Sequence, residues 1–357
     1  MNTSPPGKLT VGQQRGFSLT ELMVASTIGM FIMIALIALF INISRTNVEM
    51  TKMNAQIENG RYAIQILQHD IAHAGFWGNY LPKTASSIPD TCLPFEAWTD
   101  EHKNDLLGIP LQIYGDNPPS GAGCAVNIFD SKIPNTDTLL VRHAETCLPD
   151  EENCEADLSN ALYFQSSLSY GGNCPPASNR TPDTTPFILD TTNFDTLTKN
   201  DCLTPVTEKR KFISNLYYIR NYARNPGDKI PTLMLSQFDT VTGKLAQQPA
   251  IALIEGIEGF VVEVGVEEPE GEIDGAPEGE FFRCNEENAC DLEILSNVVM
   301  VRIHLPARAD SPSPGYTDTK QYELGSELLG PFDDGYKRHV FSTTIRLNNI
   351  SSRREAL

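Results

Sequence analysis

One carboxylate, Glu21, stands at the edge of twenty residues, Leu22 to Ile41, that hold no charge and no proline. A carboxylate beside a lipid-facing segment is costly unless a cation meets it, so its expected chemistry is ion pairing. Five residues earlier lies Gly16-Phe17, preceded by a short leader that carries Lys8 and Arg15 and no acid. In an ordinary secretory signal the apolar region comes first and small residues mark the cleavage site behind it. Here the small residue precedes the apolar region. A cut after Gly16 would discard the basic leader and keep the helix.

Two other groups of residues could do chemistry. His69-Asp-Ile-Ala-His73 has the spacing of a zinc-protease helix, with both imidazoles on one face. Its base would be Asp70, one methylene short, and the segment runs at once into Gly75-Phe76-Trp77-Gly78. In an amphipathic helix these side chains can simply face solvent, and that reading is preferred to a zinc hydrolase. The second group is the cysteines at 92, 124, 147, 154, 174, 202, 284 and 290, all beyond the apolar stretch. No Cys-x-x-Cys pair exists, which argues against zinc. An even number in an exported domain reads as disulfides. Spacing suggests Cys147–Cys154 and Cys284–Cys290 as local loops, with Cys92–Cys124 and Cys174–Cys202 at longer range.

The elements that position these residues follow from periodicity. The apolar stretch is long enough to cross a bilayer core of ~30 Å as a helix. No proline occurs between Pro6 and Pro82, and Val48, Met53, Ile57, Ile64, Leu67 and Ile71 recur near helical spacing. One helix from about Ser18 to Ala74 is expected, about 85 Å long, with Gly75 as its stop. It would span the membrane over about 22–41 and be amphipathic over about 45–74. From Pro82 short apolar runs alternate with polar turns. Strands are expected at Thr138–His143, Ala161–Gln165, Leu216–Tyr222, Leu233–Phe238, Phe260–Val266, Val298–Leu305 and Val340–Leu347. The fold class is therefore α+β: a long N-terminal membrane and assembly helix, then a disulfide-stapled antiparallel head. The expected divisions are a leader at 1–16, the helix at 17–75 and the head at 76–357.

Composition narrows the function. The formal charge is −19, and loss of Lys8 and Arg15 would take it to −21. Such a surface repels phosphate backbones, so no direct nucleic-acid binding is expected. Glu255–Glu293 is crowded with acids around the single base Arg283 and reads as a solvated hairpin tip. A weaker reading places calcium on Asn285, Glu286, Glu287 and Asp291, although the regular EF-hand spacing is absent. No Gly-x-Ser-x-Gly, phosphate loop or dinucleotide fingerprint occurs. No cofactor and no catalytic residue is assigned.

The run Arg15-Gly-Phe-Ser-Leu-Thr-Glu21 with its apolar helix resembles the class III signal of type IV prepilins and secretion pseudopilins. Four further stretches resemble the PilW family of minor pilins: Asn59–Gly78, Leu253–Val266, Val298–Leu305 and Arg338–Asn349. The resemblance implies cleavage between Gly16 and Phe17 by a membrane peptidase, and methylation of Phe17. It also implies pairing of Glu21 with a neighbouring subunit's N-terminus. The implied role is non-enzymatic: joining other minor pilins to prime pilus assembly and remaining at the tip, in support of motility, adhesion or DNA uptake. Partners would be other minor pilins, the major pilin, the prepilin peptidase and a pilus-tip adhesin. The basic leader sets an orientation with the head periplasmic before assembly and on the pilus surface after it. The alternatives are a type II secretion pseudopilin and the membrane-anchored zinc hydrolase.

Overall fold

The computed structural model describes residues 16–116, 118, 128–172, 174, 181–202, 207–241, 243–268, 274–285 and 290–354. The chain divides into two units, Met1–Lys52 and Met53–Leu357. Helix α1, Leu19–His73, begins in the first and ends in the second.

In the first unit every residue from 16 to 48 is exposed. Large apolar side chains such as Phe31, Leu36 and Phe40 are exposed. The helix passes the length and composition test for a membrane span. Its few hydroxyls are satisfied locally: Ser26 Oγ donates to Met23 O, and Thr27 Oγ1 donates to Val24 O at 2.8 Å. Such back-bonding removes the penalty a polar group would carry in lipid.

In the second unit the remainder of α1 is amphipathic. Gln56, Gly60, Ala63, Leu67, Asp70 and Ile71 are its buried residues and recur at helical spacing. The helix stops at Gly75, whose φ of +71° suits only glycine without strain, and whose N–H donates to Arg142 O at 3.0 Å. Two short helices lie further on, α2 (Asp100–Gly108) and α3 (Leu292–Asn297), and α4 (Asn348–Arg354) follows the last strand.

The strands are β1 (Leu111–Tyr114), β2 (Thr138–Ala144), β3 (Tyr163–Ser166), β4 (Phe187–Asp190), β5 (Lys209–Arg220), β6 (Thr232–Val241), β7 (Lys244–Gln247) and β8 (Ile251–Glu255). These eight form one antiparallel sheet. Its spine is β5, which pairs with β2 along Phe212–Tyr217, with β3 along Lys209–Lys211 and with β6 along Asn215–Arg220. A second sheet follows the order β10-β9-β11-β14, built from β9 (Val261–Val266), β10 (Glu278–Arg283), β11 (Val298–Arg308) and β14 (Arg338–Arg346). Between β11 and β14 lies a hairpin of β12 (Tyr322–Leu324) and β13 (Glu327–Leu329).

The main core lies where α1 and both sheets meet. Ala63, Leu67 and Ile71 of α1, with Ala74 just beyond it, pack with Leu139, Val141 and Tyr217 of the large sheet and with Val262, Val301, Ile303 and Ile345 of the smaller one. Each such aliphatic side chain gains about 1.5–3 kcal/mol by burial. Along β11 Val299, Val301 and Ile303 are fully buried and Met300 and Arg302 between them are half-buried, whereas His304 is buried as well. On the other side of β2, fully buried Arg142 donates to Ile109 O and Trp77 Nε1 donates to Leu107 O, both at 3.0 Å. Together they satisfy carbonyls that the end of α2 leaves open.

Disulfides join Cys147–Cys154, Cys174–Cys202 and Cys284–Cys290, the pairs expected from spacing. Cys92 is disulfide-bonded, and its expected partner Cys124 lies outside the described residues. The acid-rich stretch is not all solvated. Glu263 is 2% exposed and accepts from Ser326 N at 2.8 Å, with His304 Nε2 at 3.3 Å from its other oxygen. A strand position facing a histidine, rather than local composition, decides its burial.

Candidate functional site

The N-terminal signal is described from Gly16. Residues 16–18 precede the helix, and Phe17 is 88% exposed, so the Gly16–Phe17 peptide bond is free of helical hydrogen bonding. Ser18 and Glu21 then form a reciprocal capping box. Glu21 Oε2 accepts from Ser18 N at 2.9 Å and from Ser18 Oγ at 3.0 Å, while Glu21 N donates to Ser18 Oγ at 3.2 Å. The Ser-x-x-Glu spacing of Ser18 and Glu21 is the sequence signature of this box. Within one chain Glu21 therefore has a local partner, and its outer lone pairs remain accessible to a cation.

Near its other end α1 is fastened to the head by polar contacts. Gln56 Nε2 donates to Ala307 O at 2.6 Å and to Lys337 O at 3.1 Å, bridging the ends of β11 and β14. Asn59 Nδ2 donates to Glu255 O at 3.0 Å, reaching β8. Gly60 lies beneath the ring of Phe341 on β14. An added Cβ would stand 2.1 Å from that ring, so a larger residue here has to displace Phe341. At the helix end Asn349 Nδ2 donates to His73 O and Ala74 O, each at 3.3 Å. The last carbonyls of α1 are thus capped by the C-terminal segment.

The histidine-containing turn is organised differently from a metal site. Asp70 does not face solvent but is 6% exposed. Its Oδ1 lies 2.8 Å from His143 Nε2, while Asn215 Nδ2 and Tyr217 OH donate to its Oδ2 at 3.1 and 2.9 Å. His143 Nδ1 lies 2.9 Å from Ala144 O, so both ring nitrogens have acceptors, as an imidazolium requires. Burial pulls His143 down, but the Asp70 hydrogen bond and charge outweigh it and hold the group above its ordinary value. Burial first, then the Asp70 charge, pushes the Tyr217 phenol well up. His73 Nδ1 is taken by His69 O at 2.7 Å. Among the described residues no three His, Cys, Asp or Glu side chains are grouped to hold a metal. Asp70, the base that the zinc reading of His69 and His73 needs, is instead committed to His143 on β2 and to Asn215 and Tyr217 on β5.

Of the calcium candidates, Asp291 caps α3 by accepting from Ile294 N at 2.9 Å. Asn285 is described, whereas Glu286 and Glu287 lie outside the described residues.

Two arginine centres that sequence reasoning missed hold the head together. Arg283 on β10 meets Asp137, fully buried just before β2, with Nε at 2.8 Å from Oδ1. Asp137 Oδ2 also accepts from Val262 N at 2.7 Å, so one carboxylate ties the large sheet to β9 and β10. Arg338, at the start of β14, lies 2.9 Å from Asp318 and 2.7 Å from Asp334, and also pairs with Glu258. Its guanidinium lies 3.5 Å over the Phe332 ring. Asp318 is fully buried and accepts from Tyr316 OH at 3.1 Å and Tyr322 OH at 3.0 Å. Burial would pull Arg338 down, but its carboxylates raise it well above its ordinary value. Asp334 lies only four residues before Arg338, but Asp318 and Glu258 are 20 and 80 residues from it and Asp137 is 146 residues from Arg283, so no local pattern announces these pairs.

The apolar helix, the signal at its head and the antiparallel disulfide-bonded domain define the class of type IV pilin-like proteins. Residues 12–37 match the family model described as the prokaryotic N-terminal methylation motif. Residues 216–349 match the family model described as Type IV Pilus-assembly protein W, PilW. Over these two stretches the chain is similar to PilW-type pilins with a class III signal. No curated protein and no solved structure matches it. The PilW match runs from within β5 through Asn349 and so includes Glu258, Asp318, Arg338 and the Asn349 cap.

Proposed function

We propose that this protein is a minor pilin that primes type IV pilus assembly with related subunits and stays at the tip. The observation that carries this reading is the uncovered apolar stretch of α1 directly behind a methylation motif. A helix apolar on all sides leaves a bilayer only if other helices cover it. A bundle of sister helices provides that cover. Cleavage after Gly16 frees the Phe17 amine, and a neighbour's amine supplies the cation that Glu21 calls for. The head lies on the periplasmic side before assembly and on the surface after it, where disulfides persist. The protein works by assembly rather than by catalysis. The match to a pilus-assembly family favours this reading over a type II secretion pseudopilin.

Glu21 has two separable roles, capping its own helix and pairing with a neighbour. Glu21→Gln keeps a capping-box side chain and removes the charge. It is expected to reduce co-purification with partner pilins and the pilus count as strongly as Glu21→Ala does. A charge-assisted contact is worth about 1.5–3 kcal/mol. Wild-type assembly by Glu21→Gln, at wild-type protein level, would overturn the pairing role.

A further inference from the structure

β14 is an end strand of the smaller sheet, and among the described residues β11 is its one neighbour. Their register is regular over Arg338–Arg346, with no bulge. Just beyond the two ends Ala309 N donates to Lys337 O and Leu347 N donates to Val299 O. Odd-numbered residues of β14 therefore spend their backbone groups on β11. The N–H and C=O of Val340, Ser342 and Thr344 point to the free edge. Among the described residues no hydrogen bond reaches these groups. Ser342 and Thr344 are exposed, and Val340 is half-buried.

Natural proteins blunt such an edge with proline, an inward charge, a bulge or a short strand. The run Val-Phe-Ser-Thr-Thr-Ile at 340–345 carries neither proline nor charge, and it is rich in residues that favour extended chain. The edge is thus left open to pairing.

The edge also has a roof. Helix α1 tracks β14 from Gln56 at Lys337 O, past Gly60 beneath Phe341, to His73 O at Asn349. Asn59 and Asp70 turn from α1 toward the large sheet. Half-buried Ile57 and Ile64 leave the helix on the opposite flank. In the smaller sheet β9 and β10 are tied to the large sheet through Asp137. The free edge of β14 and the flank of Ile57 and Ile64 therefore both face away from the large sheet. Phe341 and Ile345 point to α1 and the core, whereas Ser342 and Thr344 point to the other face.

Donors and acceptors that repeat about every 7 Å along a line match another extended backbone rather than a compact ligand. We propose that β14 receives an added strand from a partner subunit, an amphipathic extended segment that continues the smaller sheet beneath α1. Its apolar side chains meet Ile57 and Ile64, and its polar ones lie on the face of Ser342 and Thr344. This rests on assembly through α1, which brings a neighbouring subunit to the side of the helix that overhangs the edge.

Residue-resolved hydrogen exchange tests this on the full chain in nonionic detergent, alone and in complex with partner pilins co-purified from pilus-bearing cells and identified by mass. Alone, the Val340, Ser342 and Thr344 amides are expected to exchange rapidly, while β11 protects those of Phe341 and Thr343. In the complex the first three are expected to slow by at least about tenfold. Ser342→Pro removes an outward N–H but leaves the β11 ladder whole. It is expected to lower pilin capture about tenfold against Ser342→Ala, which keeps that N–H. Unchanged exchange of the three amides in the complex, or equal capture by the two variants, would overturn the proposal. Protection of the same amides in a dimer of the chain alone would also overturn it, by making a second copy the occupant. If Glu21→Ala loses the pilins and Ser342→Pro retains them, the added strand alone fails. A native chain that captures no pilin would sink assembly and the added strand together.

Discussion

Asp70 Oδ1 on α1 lies 2.8 Å from His143 Nε2 on β2, and both side chains are buried. The pair fixes the last turn of the long helix to the central part of the large sheet. Its other partners, Asn215 and Tyr217, come from β5, so three elements converge on one carboxylate.

This pair makes head stability depend on pH in a definite direction. His143 is raised, so its contribution is complete below the ordinary histidine value of about 6.5 and is lost as pH rises through the elevated folded value. Thermal unfolding of the full chain and of His143→Gln across pH 6 to 9 is the check. The gap between them should narrow as pH rises. A gap that widens with pH would contradict the assignment of a charged His143.

Removing the carboxylate should be costly. Asp70→Ala leaves a buried imidazolium and two donors without their acceptor, and a loss of about 3–5 kcal/mol is expected. Denaturant unfolding measures it. A loss under about 1 kcal/mol would show that the network is not closed to water.

Gly60 and Phe341 should be strongly coupled. In an exposed helix Gly→Ala gains about 1 kcal/mol. Here the added Cβ would meet the Phe341 ring at 2.1 Å, so Gly60→Ala should destabilise by about 1–3 kcal/mol. In a Phe341→Ala background the same change should turn stabilising. The same sign in both backgrounds would mean that the close approach does not govern this position.

Much of the architecture was readable because its causes are local. An uncharged apolar run, the absence of proline up to Pro82 and the stop at Gly75 specify α1. A short apolar run specifies β11, and short spacings specify two of the disulfide loops. The polar interior was not readable in the same way. Asp70, Glu263 and Arg338 look like surface charges in sequence, and only partners brought in by sheet pairing bury them. Helix α2 was missed although Thr99 accepts from His102 N as an ordinary N-cap ahead of Asp100 and Glu101. Its polar composition hid a helix that buries only Asp105, Leu106 and Leu107.

Arg338 should prove the most sensitive charged residue of the segment between β11 and β14. Arg338→Met strands buried Asp318 and releases Phe332, with an expected cost of about 3–5 kcal/mol. Hydrogen exchange should quicken across 316–336 before it does in β2 or β5. Arg338→Lys should not rescue, because an ammonium cannot span Asp318, Asp334 and Glu258 in one plane. Native exchange rates in either variant would contradict this.

The central claim is that the chain is processed as a prepilin and assembled through its new N-terminus. Mass spectrometry of the N-terminal peptide, on protein taken from pilus-bearing cells, tests it most directly. The account predicts a chain that begins at Phe17 and carries one N-methyl group. A chain that still begins at Met1, or one cut C-terminal to Ile41, would contradict it.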